Sequence, residues 1–175
     1  MKKFAHLLAL CCAFACLASA QGDKSTRPSP PAKASCSTNG ASITIDYSSP
    51  RMKGRKIYGG LVPFGQIWRT GANEATTFDT SADVTVGGQT VPAGSYTIFT
   101  VPEADKWTLV ISKKTGEWGT DYPGENNDLL RLPMKVSKTS GPVENFTIAF
   151  DQSGDKCVLN MDWENTRASV DVAKK

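Results

Sequence analysis

From residue 41 onward, apolar and polar positions alternate with a period of two. Ile43, Ile45 and Tyr47 alternate with Thr44 and Asp46, which places one set of side chains on a single face of an extended strand. The first core strand is therefore expected over residues 41–47. Val84-Thr85-Val86 and Gln89-Thr90-Val91 flank Gly87-Gly88, a pair able to take the positive φ angles of a two-residue hairpin. Pro92-Ala93-Gly94 turns the chain into a strand over 95–101. The next strand runs over 107–112, where Trp107, Leu109 and Ile111 share a face. Further strands are expected over 129–136, 145–150, 157–163 and 167–172, with a turn at Gln152-Ser153-Gly154-Asp155. No stretch keeps a helical apolar pattern free of Pro, Gly or β-branched runs, apart from a short turn near Asn126 to Leu130. Eight or nine short strands in ~140 residues predict an all-β fold, an antiparallel sandwich or barrel.

The ends of this pattern differ from its middle. Lys2 and Lys3 precede an apolar run over 7–17 and the small residues Ala18-Ser19-Ala20, the pattern of a secretory signal peptide over residues 1–20. Residues 21–35 are rich in Pro, Ser and Lys without an aliphatic cluster, so they read as a linker ahead of a domain over 36–175. A lipoprotein signal ending at Cys16 is the rival reading of the leader, but Ala13-Phe14-Ala15 fits a lipobox poorly. The expected location is secreted or periplasmic, with no transmembrane segment.

Removing that leader changes the available chemistry. The only histidine, His6, and three of five cysteines, Cys11, Cys12 and Cys16, lie inside it. A histidine-free chain excludes nucleophiles activated by imidazole and metal sites built on it, and no cofactor or metal is expected. Losing Lys2 and Lys3 from 20 basic residues leaves 18 against 17 acidic ones, so net charge gives no support to a nucleic-acid partner. Cys36 and Cys157 remain, and an oxidising compartment favours a disulfide between them, although two buried thiols are the alternative.

One long connection breaks the strand pattern. Between Asp46 and Glu74 there is no acidic residue, yet Arg51, Lys53, Arg55, Lys56 and Arg69 are basic, and Ile57, Leu61, Val62, Phe64, Ile67 and Trp68 are apolar. Such a segment should pack against the sandwich. Its run Gly59-x-Leu-Val-Pro-Phe-Gly-x-x-Trp-Arg-Thr-Gly-Ala-Asn-Glu74 resembles the signature of the bacterial secreted family catalogued as domain of unknown function 2911. Val91 to Gly94, Trp107 to Ile111, Trp118-Gly119 and Trp163 to Val170 fit the same pattern in order, so the resemblance covers about 35–172. It implies a β-sandwich of bacterial envelope compartments and transfers no activity, substrate or catalytic residue.

Candidate chemistry therefore rests on the residues themselves. Arg69, Asn73 and Glu74 lie on one glycine-containing turn and offer a guanidinium, an amide and a carboxylate to a polar ligand. The structural alternative has Arg69 and Glu74 paired with each other or with strand carboxylates, and Asn73 capping a turn. The basic run from Arg51 to Lys56 would meet an anionic polymer or lipid headgroup, or simply solvent. Trp118 and Tyr122 beside Asp121, Glu125, Asn127 and Asp128 have the character of a sugar or calcium edge, but Gly124 falls too early for an EF-hand loop. The pairs Glu74 with Asp79 and Asp162 with Glu164 have the residue types of a carboxylate hydrolase, whose separation across a cleft sequence spacing does not determine. The reading is a binding module for a polar small molecule, cell-envelope glycan or exported protein, with a histidine-free hydrolase as the alternative.

Overall fold

The computed structural model describes residues 23–175; the expected signal peptide and residues 21–22 lie outside the described residues. The strands are β1 (Pro31–Thr38), β2 (Ala41–Ser48), β3 (Thr76–Thr80), β4 (Val84–Val86), β5 (Gln89–Val91), β6 (Gly94–Pro102), β7 (Trp107–Ser112), β8 (Asp128–Ser153) and β9 (Lys156–Lys174). Two single 3-10 turns, at Lys24–Thr26 and Glu125–Asn127, complete the regular elements. The described residues contain no helix long and apolar enough to cross a membrane.

The strands all pair antiparallel, in the order β1-β2-β3-β6-β7-β8-β9-β4-β5. This sheet folds over so that its halves face each other. Although six places apart in the order, β1 and β9 are joined by the Cys36–Cys157 disulfide, with Cα atoms 6.5 Å apart. Ile148 N on β8 donates to the Tyr47 hydroxyl of β2 at 3.0 Å. The inward faces of both halves, among them Ile43, Ile45, Phe78, Ile98, Leu109, Leu159 and Met161, bury one core, as two packed sheet layers require. At the β4–β5 hairpin Gly87 and Gly88 have φ of 54° and 81°. A side chain at Gly87 would also come within 3.0 Å of Leu132 Cδ1, so backbone and packing both require glycine there.

The strand count meets the expectation through compensating differences. The four late segments are two long strands, because polar residues 137–144 continue β8 while presenting no buried face. Their ladder to β9 shifts register between Lys138 and Val143 and again before Thr147. Two strands leave no apolar alternation to read. In β3 the buried face is Thr76, Phe78 and Thr80, and in β1 it is Ala34, Cys36 and Thr38. The linker expected over 21–35 is corrected on the same ground. Pro31 pairs with Ser48 and Ser35 with Thr44, since small residues suffice where an edge strand lies against a larger neighbour. The folded domain thus begins ahead of residue 36.

Candidate functional site

The connection from β2 to β3 packs as its apolar residues require. Ile57, Tyr58, Val62 and Trp68 are buried. Trp68 N donates to Thr100 O at 2.8 Å and Thr100 N returns a bond to Trp68 O at 2.9 Å, a one-residue bridge onto β6. The Trp68 ring stacks on Trp163 at 6.0 Å and meets Phe146 edge-on at 4.9 Å, arrangements that aromatic quadrupoles favour.

The turn that follows is held in an uncommon conformation. Thr70 and Asn73 have φ of 55° and 57°, and a β-branched residue there stores of order 1–3 kcal/mol unless its surroundings over-determine it. They do so here. The buried Thr70 hydroxyl lies 3.1 Å from that of Thr100, Thr76 Oγ1 donates to Thr70 O at 2.7 Å, and Trp68 Nε1 donates to Gly71 O at 3.1 Å. Between these anchors Arg69 projects into a cavity of about 390 Å³. Trp68, Trp163, Leu61, Val62 and Ile67 supply apolar wall, Arg55 and Gln66 add polar groups, and the lining contains no carboxylate. Arg69 Nε is buried and has no acceptor among the described residues. Burial alone shifts the guanidinium, lowering its pKa. The cavity is therefore a site of uncompensated positive potential.

Asn73 and Glu74 face elsewhere. Asp23 accepts a hydrogen bond from Ser25 N and starts the turn Lys24–Thr26, so Lys24 and Arg27, three residues apart, come to one side. Both reach Glu74: Lys24 Nζ lies 3.0 Å from Oε1, and Arg27 Nη1 lies 3.0 Å from each carboxylate oxygen. Burial would raise the Glu74 pKa, but its own backbone N–H and the two cations outweigh this and hold it at about 2. Asn73 Nδ2 donates to Ser29 O at 3.0 Å, and Ser49 N donates to Pro30 O at 2.9 Å. Residues 24–30 are thus strapped across the turn, with Ser29 at the cavity wall. Arg69 does not share a concavity with Glu74, which faces one of about 350 Å³ beside Lys24, Glu117 and Trp118. Sequence reasoning missed Lys24, Arg27 and Thr100, which carry no motif and act only through their placement.

With this geometry in view, the comparisons with known proteins are informative in one respect. The family model described as "Protein of unknown function (DUF2911)" matches residues 29–172. The chain belongs to this family. A search of the curated proteins and a search of the solved structures found no match. The DUF2911 match spans the strap's last residues, the turn with Arg69, and the nine strands up to the last two residues of β9.

Several of the other candidates in this DUF2911 chain meet internal partners. Arg51 donates to Ser49 Oγ at 2.9 Å, and Arg55 donates to Arg51 O at 2.6 Å and Met52 O at 3.1 Å, bonds that shape the loop from within. Lys53 and Lys56 are exposed. Arg131 bridges Glu125 and Asp128 at 2.8 and 3.0 Å, while Tyr122 donates to Asp128 at 2.8 Å. Burial first, then that carboxylate, pushes the Tyr122 hydroxyl up to about 12. Asp162 takes a fork from Arg167 at 2.8 and 2.6 Å, and Tyr58 N donates to Glu164 at 3.4 Å. Among the described residues no three His, Cys, Asp or Glu gather as metal ligands.

Proposed function

We propose that this is an exported domain of the bacterial cell envelope that binds a small anionic ligand, with Arg69 as its anchor. One observation carries the reading: an arginine with a buried, unpaired Nε–H that lines a cavity whose wall holds a second arginine and no carboxylate. Leaving such a group unpaired costs about 1–3 kcal/mol or more, which a folded protein tolerates most readily where a ligand repays it. Arginine also presents a planar fork matched to carboxylate and phosphate oxygens. Asn73 and Glu74, the other two residues of the turn, serve the site indirectly by holding the strap at its wall. The basic n-region and apolar run at 2–17 support export, and the disulfide suits an oxidising compartment.

A panel of small organic anions, scored by the rise in melting temperature, tests the reading. At least one should stabilise the wild type and lose its effect in Arg69→Gln. Equal stabilisation of both proteins, or of neither, would overturn it. Amino-terminal sequencing of the exported protein should begin at Gln21, whereas a retained leader would remove the export half of the proposal.

A further inference from the structure

The walls around Arg69 say more about the ligand than its charge. Most of the cavity's side chains, Leu61, Val62, Ile67, Trp68 and Trp163 among them, are hydrocarbon or indole. The second arginine, Arg55, is fixed in place by its Nε and Nη2, which donate to the Met52 and Arg51 carbonyls, and it keeps its charge on the exposed side of the loop. Arg69, half-buried, is thus the cation that the lining holds further from solvent, among the apolar wall. A citrate-like ligand with several charges would bury most of them against apolar wall without partners, which is strongly unfavourable. A ligand with one charged end leaves nothing unpaired.

The rim has the same mixed character. Leu61 and Phe64 are 46% and 43% exposed, an uncommon state for two large apolar residues within four positions of one loop. Leu61 also lines the cavity. Phe64 is held over Gly59, where a side chain would approach Phe64 Cε2 to 2.6 Å. Lys53, Arg55 and Lys56 are exposed on the same loop. Of these residues Leu61 and Arg55 line the cavity, so exposed apolar surface and positive charge meet at its wall, which suits the approach of an anion carrying an apolar body.

We infer that the ligand is an amphiphilic monoanion: one carboxylate or phosphate head on Arg69, and an apolar body along Trp68 and Trp163 leaving past Leu61. This rests on the anion-binding reading and narrows it. At ~30 Å³ for each water-sized group, a cavity of about 390 Å³ holds around a dozen non-hydrogen atoms, the size of octanoate or decanoate.

The experiment is a titration of the full folded chain, read by tryptophan fluorescence and calorimetry, with acetate, hexanoate, octanoate, octyl phosphate, inorganic phosphate and citrate. Affinity should rise by about fourfold for each added methylene that enters the cavity, the effect of burying one CH₂. Arg69→Gln should weaken octanoate by tenfold or more, as loss of a charge-assisted hydrogen bond implies. Leu61→Ser, at an exposed position, should keep the melting temperature and flatten the chain-length dependence. Tighter binding of octyl phosphate than of octanoate would make the head a phosphate, the reverse a carboxylate; either supports the inference. Arg69-dependent binding of citrate or inorganic phosphate without any gain from acetate to octanoate would overturn it while leaving the broader anion reading intact. Binding of none of the six would overturn both.

Discussion

At the residue scale, Arg69 and Asn73 oppose local stability for different reasons. The Arg69 guanidinium is partly desolvated and unpaired, so Arg69→Met, which keeps the apolar stem, should raise the urea midpoint of the ligand-free protein by the equivalent of about 1 kcal/mol. A residue whose removal stabilises the fold is one retained for binding. Asn73 combines φ of 57° with a side-chain bond to Ser29 O. Asn73→Gly and Asn73→Ala both lose that bond, but only alanine has a Cβ to strain in the left-handed region. Alanine should therefore be the less stable of the two by about 1–2 kcal/mol, measured by denaturant unfolding. The turn was legible as a candidate site because its residue types are those of ligand recognition. Their separation into two concavities was not, since it depends on the bonds of Thr70 to Thr100 and of Thr76 to Thr70.

At the element scale, the strap 24–30 is held by ion pairs that pH and salt address separately. Glu74 falls from an ordinary 4.5 to about 2 in the folded chain. A carboxylate lowered on folding contributes its full stabilisation above its unfolded value and loses it as pH falls through the folded one. The strap should therefore stay closed above pH ~4.5 and open progressively toward pH ~2, reported by faster amide exchange of residues 24–29. Glu74→Gln should open it already at neutral pH, so that trypsin cuts after Lys24 faster than in the wild type, the bond after Arg27 being protected by Pro28. High salt should act in the same direction, since Glu74 and Lys24 are partly exposed and their pairing is screened. The alternating signal that marked β2 and β7 fails for β1, β3 and the middle of β8, where small residues, threonines or two solvated faces replace it.

At the scale of the molecule, the Cys36–Cys157 bond ties two strands that the sheet order keeps apart, across a sequence separation of 121. In the chain-entropy model a loop of that length contributes about 5 kcal/mol by restricting the unfolded chain. Cys36→Ser with Cys157→Ser should lower the melting temperature markedly while preserving the antiparallel fold, whose core cluster draws on every strand besides these two cysteines. Reductant should destabilise the wild type and leave the double variant unchanged. The described chain has no free thiol to titrate after unfolding, so two reactive groups in unreduced, denatured protein would contradict the bridge.

Period-two alternation, paired glycines and the long family motif determined that this chain is an all-β member of DUF2911, because those signals depend on neighbours in sequence. Tertiary structure decided which polar groups remain available. Lys24 and Arg27 take the Glu74 carboxylate, Ser29 takes the Asn73 amide, and Arg69, which lines a cavity, keeps a buried Nε–H without an acceptor among the described residues. Whether a polar group is satisfied depends on atoms distant in sequence that come within about 3 Å in space.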